Sequence, residues 1–292
     1  MKVLISGASG QVGQALVRRA PPDAEVRALT RSELDITDPR DVRAAVAVFQ
    51  PDLIINAAAY TAVDKAEAEP GLADAINARG PRLLAQAALA IHGCRLLHVS
   101  TDYVFDGRSG LPYKPDDATN PLSVYGRTKL AGESAVLEVL GERAVVLRTA
   151  WLYAAQGKNF VLTMLRLMRE LQEVRVVADQ RGAPTAADSI ARALWAVAEQ
   201  RDIHGVLHWT DQGDAEWYSF ALAIAEEGRT LGLLSKPVRV TPITTAEYPT
   251  PAHRPANSLL DCRDSILKVG FRPAHWRVNL RRTLEKMARA SA

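Results

Sequence analysis

Tyr125 and Lys129 stand four residues apart in Val124-Tyr125-Gly126-Arg127-Thr128-Lys129. On a helix that spacing puts a phenol and an amine on one face, about one turn apart. A neighbouring ammonium favours phenolate, so the pair draws the tyrosine pKa down from roughly 10 and makes the group a usable proton donor. Seven tyrosines and eight lysines in 292 residues give about 0.2 such pairs from composition alone. The spacing therefore carries weight only if the chain also supplies something for that proton to reach.

Gly7-Ala8-Ser9-Gly10-Gln11-Val12-Gly13 supplies it. Glycines at Gly7, Gly10 and Gly13 follow an apolar strand and open a helix. They let the turn tighten, a diphosphate approach the backbone, and helix and strand pack closely. The helix then offers free N–H groups and a positive dipole end to the phosphates. At the end of the second strand, where NAD binding usually uses a carboxylate, the chain has Thr30-Arg31-Ser32. A guanidinium and two hydroxyls suit a 2′-phosphate, which points to NADPH, with NADH open as a second cofactor.

Positioning these groups requires regular alternation. Lys2–Ser6, Glu25–Leu29, Leu53–Asn56, Cys94–Ser100 and Ala144–Arg148 read as strands, and Gln11–Ala20, Pro39–Phe49, Pro70–Ile91 and Leu122–Leu140 as helices. Strands apolar on both faces, such as Leu53-Ile54-Ile55, belong in a parallel sheet covered on both sides. The pattern predicts an α/β fold, a doubly wound parallel (Rossmann) sheet over residues 1–150. Residues 151–292 read as a smaller, mainly substrate-binding α/β domain. Its helices are expected at Asn159–Leu171, Ala186–Gln200, Asp214–Glu227 and Val278–Ala290, the helix near 186–200 packing back on the first domain. Net charge +3 is spread without a basic block, which argues against a nucleic-acid partner. No run of about 18 apolar residues occurs, the amino terminus lacks a signal peptide, and Cys94 and Cys262 lack metal-ligand spacing. A cytoplasmic protein with no membrane partner is expected.

Further motifs resemble a known family. Leu34-Asp35-Ile36-Thr37-Asp38, Asn56 through Asp64, Ser100-Thr101-Asp102-Tyr103-Val104-Phe105-Asp106-Gly107, Val124 through Leu130, Arg148 through Tyr153, and Tyr248-Pro249-Thr250-Pro251 through Ser258 occur in family order. The chain resembles the extended short-chain dehydrogenase/reductases and, among them, the dTDP-4-dehydrorhamnose reductase family. That resemblance implies NADPH-dependent reduction of the C4 ketone of a dTDP-linked 4-dehydro-6-deoxyhexose. It implies Thr101, Tyr125 and Lys129 as the catalytic set. It places Gly10, Gln11 and Val12 on the cofactor diphosphate, Asp35 and Ile36 beside the adenine, and Ala59, Tyr60 and Thr61 along the cofactor groove. Thr101, Asp102, Tyr103 and Trp151 would face the sugar, with Asn159 and Arg254 as looser matches, the guanidinium meeting the substrate diphosphate.

Other readings share these motifs. A 4,6-dehydratase would carry a carboxylate where Tyr103 stands, whereas an epimerase needs a tightly held, internally recycled cofactor. The regulatory subunit of methionine adenosyltransferase resembles the same reductases and can keep the tyrosine and lysine without turnover. Some reductases of the family hold Mg²⁺ at a dimer interface through acidic residues early in the first helix. Gln14-Ala15 cannot serve as a hard-cation pair, so no metal ligand is assigned, the metal-linked dimer is in doubt, and a monomer or a differently built homodimer is open. Tyr60 stands where His is frequent. The Arg31 side chain generates the first test: kcat/KM should be higher with NADPH than with NADH, and a ratio favouring NADH would overturn the reading of that strand end.

Overall fold

The computed structural model describes residues 1–291. Strands and helices alternate through the first half as β1 (Lys2–Ser6), α1 (Gln11–Arg18), β2 (Glu25–Leu29), α2 (Pro39–Phe49), β3 (Leu53–Asn56), α3 (Val63–Ala68), α4 (Pro70–Asp74), α5 (Gly80–Leu89), β4 (Arg95–Thr101), α6 (Val124–Leu140) and β5 (Ala144–Thr149). The second half contains β6 (Leu152–Tyr153), α7 (Phe160–Glu170), β7 (Glu173–Val177), β8 (Arg181–Gly182), β9 (Thr185–Ala186), α8 (Ala187–Glu199), β10 (Gly205–His208), β11 (Ala215–Glu216), α9 (Trp217–Thr230), β12 (Arg239–Ile243), α10 (Arg263–Val269) and α11 (Trp276–Ser291).

Six strands form one parallel sheet in the order β10-β5-β4-β3-β1-β2. Side chains alternate across it, and both faces are apolar. Val3, Ile5, Leu53 and Ile55 enter a core shared with α1 and α8, whereas Leu4 and Ile54 enter one shared with α2, α5 and α6. Strand order reverses between β1 and β3, so the crevice for a ligand lies outside the carboxyl ends of those strands. A separate core, which includes Met164, Leu165, Val174, Val176, Phe220 and Leu284, joins α7, α9 and α11 to the parallel pair β7 and β12.

Several elements differ from the sequence expectation. The helix expected over Pro70–Ile91 is interrupted by a π-helical turn at Ala75–Arg79, a local widening that inserts one residue and re-aims a side chain. The helix expected to begin at Asp214 begins at Trp217, because Glu216 and Ser219 cap it reciprocally. β10 joins the central sheet beside β5 although it lies late in the chain. Cys94 and Cys262 are free thiols, and burial pushes them up to about 12 and about 11. No helix among the described residues is long and apolar enough to cross a membrane.

α6 is held to the sheet by a buried ion pair. The Arg148 guanidinium on β5 donates to Glu133 on α6 through Nη2 at 2.7 Å and Nε at 3.0 Å, and both side chains are almost fully buried. Arg148→Met leaves the carboxylate buried and unpaired, so it should lower the unfolding free energy by about 3–5 kcal/mol in urea titration. Adding Glu133→Leu should restore most of that loss. A single-variant loss below about 1 kcal/mol, the range of exposed pairs, would show that the pair does not anchor the helix.

Candidate active site

The glycine turn is built to exclude side chains. Gly7 has φ +75° and a Cβ there would lie 2.6 Å from Ala58 N, while one at Gly13 would lie 2.2 Å from Gly7 O. Gly10 caps α1 without a side-chain hydrogen bond, which leaves the Gln11 and Val12 N–H groups without helical acceptors. This cradle fits a dinucleotide diphosphate. A groove of about 660 Å³ runs from the turn past Arg31, Asp35 and Ile36 to Ala59, Tyr60 and Thr61. Val12 turns its side chain into the core, so only its backbone can serve a ligand. Of the set that suggested a 2′-phosphate site, Arg31 lines the groove, but the hydroxyls are engaged locally. Thr30 donates to Glu33 at 2.7 Å and shares a hydrogen bond with Ser32 at 3.0 Å.

The catalytic candidates lie at the carboxyl end of β4, beside the ends of β1 and β3. Ser123 caps α6 by accepting from Gly126 N at 3.1 Å, and Glu67 on α3 accepts from Val124 N at 2.7 Å. These contacts set the first turn, which carries Tyr125. A Cβ on Gly126 would sit 2.2 Å from Tyr103 O, so the helix can approach that closely only with glycine there. Tyr125 is half-buried and edge-on to Tyr103, with ring centroids 5.6 Å apart. Lys129 is 2 % exposed. Its Nζ donates to Val99 O at 2.7 Å and lies 3.4 Å from His98 Nε2. A buried chain continues inward: Asn56 Nδ2 donates to His98 Nδ1 at 3.0 Å, and Asn56 Oδ1 accepts from Ser6 Oγ at 2.8 Å and from Ala58 N at 3.1 Å. This chain connects Lys129 to the strand ends that carry the glycine turn. Neither Tyr125 nor Lys129 lines the open groove, which ends at the loop after β3.

The electrostatics correct one sequence expectation. Burial pushes the Tyr125 phenol up to about 12, with the nearby Thr101 hydroxyl opposing and the Asp102 carboxylate adding to the rise. The expected acidification by Lys129 is absent, because the amine is turned to Val99 O and His98. Burial brings Lys129 itself down to about 8, with Glu133 working the other way. His98, buried beside Lys129, is held well below the ordinary imidazole value and is neutral. Burial lifts Asp102 to about 6, opposed by the Ser258 and Thr101 hydroxyls.

The outer residues divide. Thr101 donates to Asp102 Oδ1 at 2.9 Å, and Asp102 Oδ2 is buried without a hydrogen-bond partner among the described residues. Trp151 adopts φ +47°, lies flat on Trp217 with centroids 3.5 Å apart, and fills the space where Gly182 has no Cβ. Asn159, expected at the substrate, is committed to structure: Oδ1 caps α7 at Leu162 N (3.1 Å), and Nδ2 donates to Gln11 Oε1 and Ala154 O, both at 2.9 Å. Arg254, expected on a diphosphate, instead holds Asp64 through Nη2 at 2.7 Å and Nη1 at 3.0 Å.

The profile described as RmlD substrate binding domain matches residues 1–289. A protein named dTDP-4-dehydrorhamnose reductase from Sinorhizobium fredii is 41% identical over 291 residues, 97% of this chain and 96% of that one. The crystal structure of a dTDP-4-dehydrorhamnose reductase from Clostridium acetobutylicum is 38% identical, with TM-score 0.92 over 98% of this chain and 99% of that one. A Bacillus anthracis dTDP-4-dehydrorhamnose reductase in complex with NADP is 34% identical, with TM-score 0.92 and the same coverage.

Several residues of the site carry no motif of their own. Asn77, on the π-helical turn, is fully buried and clamps Tyr60 by accepting from its N at 2.8 Å and donating to its O at 3.1 Å. Asn56 and His98 could have been suspected only as polar residues within otherwise apolar strands. Asp102 yields a pH test. Its folded pKa lies above its ordinary value of 3.8, so its stabilising contribution is fully present below about 4 and is lost as pH rises through about 6. Relative to Asp102→Asn, the wild type should lose of order 2 kcal/mol between pH 4 and 7 in urea titrations. A difference independent of pH would show that the carboxyl does not titrate there.

Proposed function

The chain belongs to the RmlD family of dTDP-4-dehydrorhamnose reductases, and from that premise we propose how its residues divide the reaction. The protein is an NADPH-dependent oxidoreductase that reduces the C4 ketone of dTDP-4-dehydrorhamnose to the alcohol of dTDP-L-rhamnose. Residues 1–150 serve the cofactor and most of 151–292 serve the dTDP-linked sugar, in the cytoplasm.

When bound, NADPH supplies the hydride. The protein's task is to orient the ketone and to meet the negative charge that grows on its oxygen. Tyr125 gives the proton, with Thr101 beside it at the end of β4; the placement of Tyr125 and Lys129 one turn apart on α6, the amine on Val99 O at 2.7 Å, carries the reading. A phenol near 12 stays fully protonated at neutral pH, as a donor must. An alkoxide is a base comparable to hydroxide, whose conjugate acid has a pKa of roughly 15.7, so the transfer is still downhill. Lys129 lies one turn along the helix, and with one N–H on Val99 O it retains donors for the nicotinamide ribose. Gln11 and Val12 offer backbone N–H groups to the diphosphate, while Asp102 Oδ2 and the Trp151 ring meet the sugar.

The test is to incubate the protein with NADPH and dTDP-4-dehydrorhamnose, follow the nicotinamide absorbance, and identify the sugar by NMR. Tyr125→Phe should lose at least ~10²-fold in kcat with little change in cofactor affinity, because the donor acts mainly in the transition state. Turnover at the wild-type rate in that variant would remove Tyr125 from the role.

A further inference from the structure

We propose that Lys158, carried by the sugar-binding half of the chain, binds a phosphate of the cofactor. The idea rests on the NADPH reading above and adds a ligand to the same site. Lys158 lines the nucleotide groove together with Ser9 and Gly10 of the glycine turn. It reaches that place on a strap laid across the start of α1. Asn159 Nδ2 donates to Gln11 Oε1 at 2.9 Å, and Gln11 Nε2 donates back to Lys158 O at 3.4 Å. Gly157, at φ +87°, brings the strap so close that a Cβ would lie 3.2 Å from Gln11 Cγ. Asn159 also caps α7, so Lys158 is fixed within one residue of a helix end and cannot drift far from the turn.

Charge supports the same assignment. The first turn of α1 contains no acidic residue, and the Lys158 ammonium has no hydrogen bond or ion pair among the described residues. The other lysine at the groove, Lys65, already faces Glu69 at 3.7 Å. An ammonium beside a helix N-terminus and uncapped amides forms a composite anion site, in which the backbone supplies direction and the lysine supplies net charge. Because the cation comes from the opposite side of the cleft, holding the phosphate also draws the strap onto the glycine turn.

Two phosphates of the cofactor are candidates, the bridging diphosphate and the 2′-phosphate, and the two cofactors separate them. Kd by nicotinamide fluorescence without sugar, and KM and kcat with it, are measured for wild type, Lys158→Ala and Lys158→Arg with NADPH and NADH. Lys158→Ala should weaken NADPH about tenfold, the value of one charge-assisted hydrogen bond, with kcat at saturation within about twofold. Lys158→Arg should retain most of the affinity. An equal loss with NADH assigns the bridging diphosphate; a loss confined to NADPH assigns the 2′-phosphate. Unchanged Kd and KM for both cofactors, or a fall in kcat alone, would overturn the proposal while leaving the reductase reading intact. A wild type that binds NADPH but never oxidises it would sink that reading, and the fluorescence arm would still decide Lys158.

Discussion

Glu133 and Arg148 meet inside the protein, and the geometry of the candidate site follows from that meeting. Glu133 lies one turn beyond Lys129 on the same helix, and Arg148 lies on the strand next to β4. Ser100 also donates to the Glu133 carboxylate, so one buried anion joins α6 to the ends of two strands. A buried charge pair of this kind adds little net stability compared with apolar packing, but a helix that slid or rotated would leave a charge unpaired at large cost. The pair thus sets the rotation of α6, and with it which residues face the end of β4.

That rotation explains why the phenol and the amine sit in unlike surroundings although they share a helix face. Tyr125 lies at the rim, edge-on to Tyr103. Lys129 lies one turn deeper, almost wholly shielded from solvent, with the backbone carbonyl of Val99 as its nearest acceptor. Burial acts on the two in opposite directions because it always disfavours the charged form: it raises the tyrosine and lowers the lysine. A phenol kept protonated suits the donor role proposed for Tyr125, in which the proton leaves the enzyme as charge appears on the substrate.

Apolar packing of α8 on the sheet and α1 joins the two halves of the chain, and polar contacts bridge them at the cleft. Arg254 and Ala252 reach Asp64 on α3, and Asn159 reaches Gln11 at the glycine turn. Polar contacts at a cleft can be exchanged for contacts to a ligand at modest cost, because both states are hydrogen-bonded. The aromatic stack of Trp151 on Trp217, with its left-handed backbone, supplies a rigid wall opposite this adjustable edge.

Local chemistry alone made much of this protein legible. The glycine turn demands small residues wherever it occurs. Strands apolar on both faces demand a covered parallel sheet, and the Tyr125–Lys129 spacing demands one helix face. The fold class, the cradle and the candidate pair Tyr125 and Lys129 therefore followed from residues close together in the chain. Tertiary structure decided what depends on distant partners: that Asn159 caps a helix and braces Gln11, that Arg254 holds Asp64, that Asn77 clamps Tyr60 from a π-helical turn, and that β10 completes the sheet. It also decided the direction of the Tyr125 pKa. Spacing tells which groups are neighbours, but only packing tells how much water each one loses and which acceptor its charge prefers.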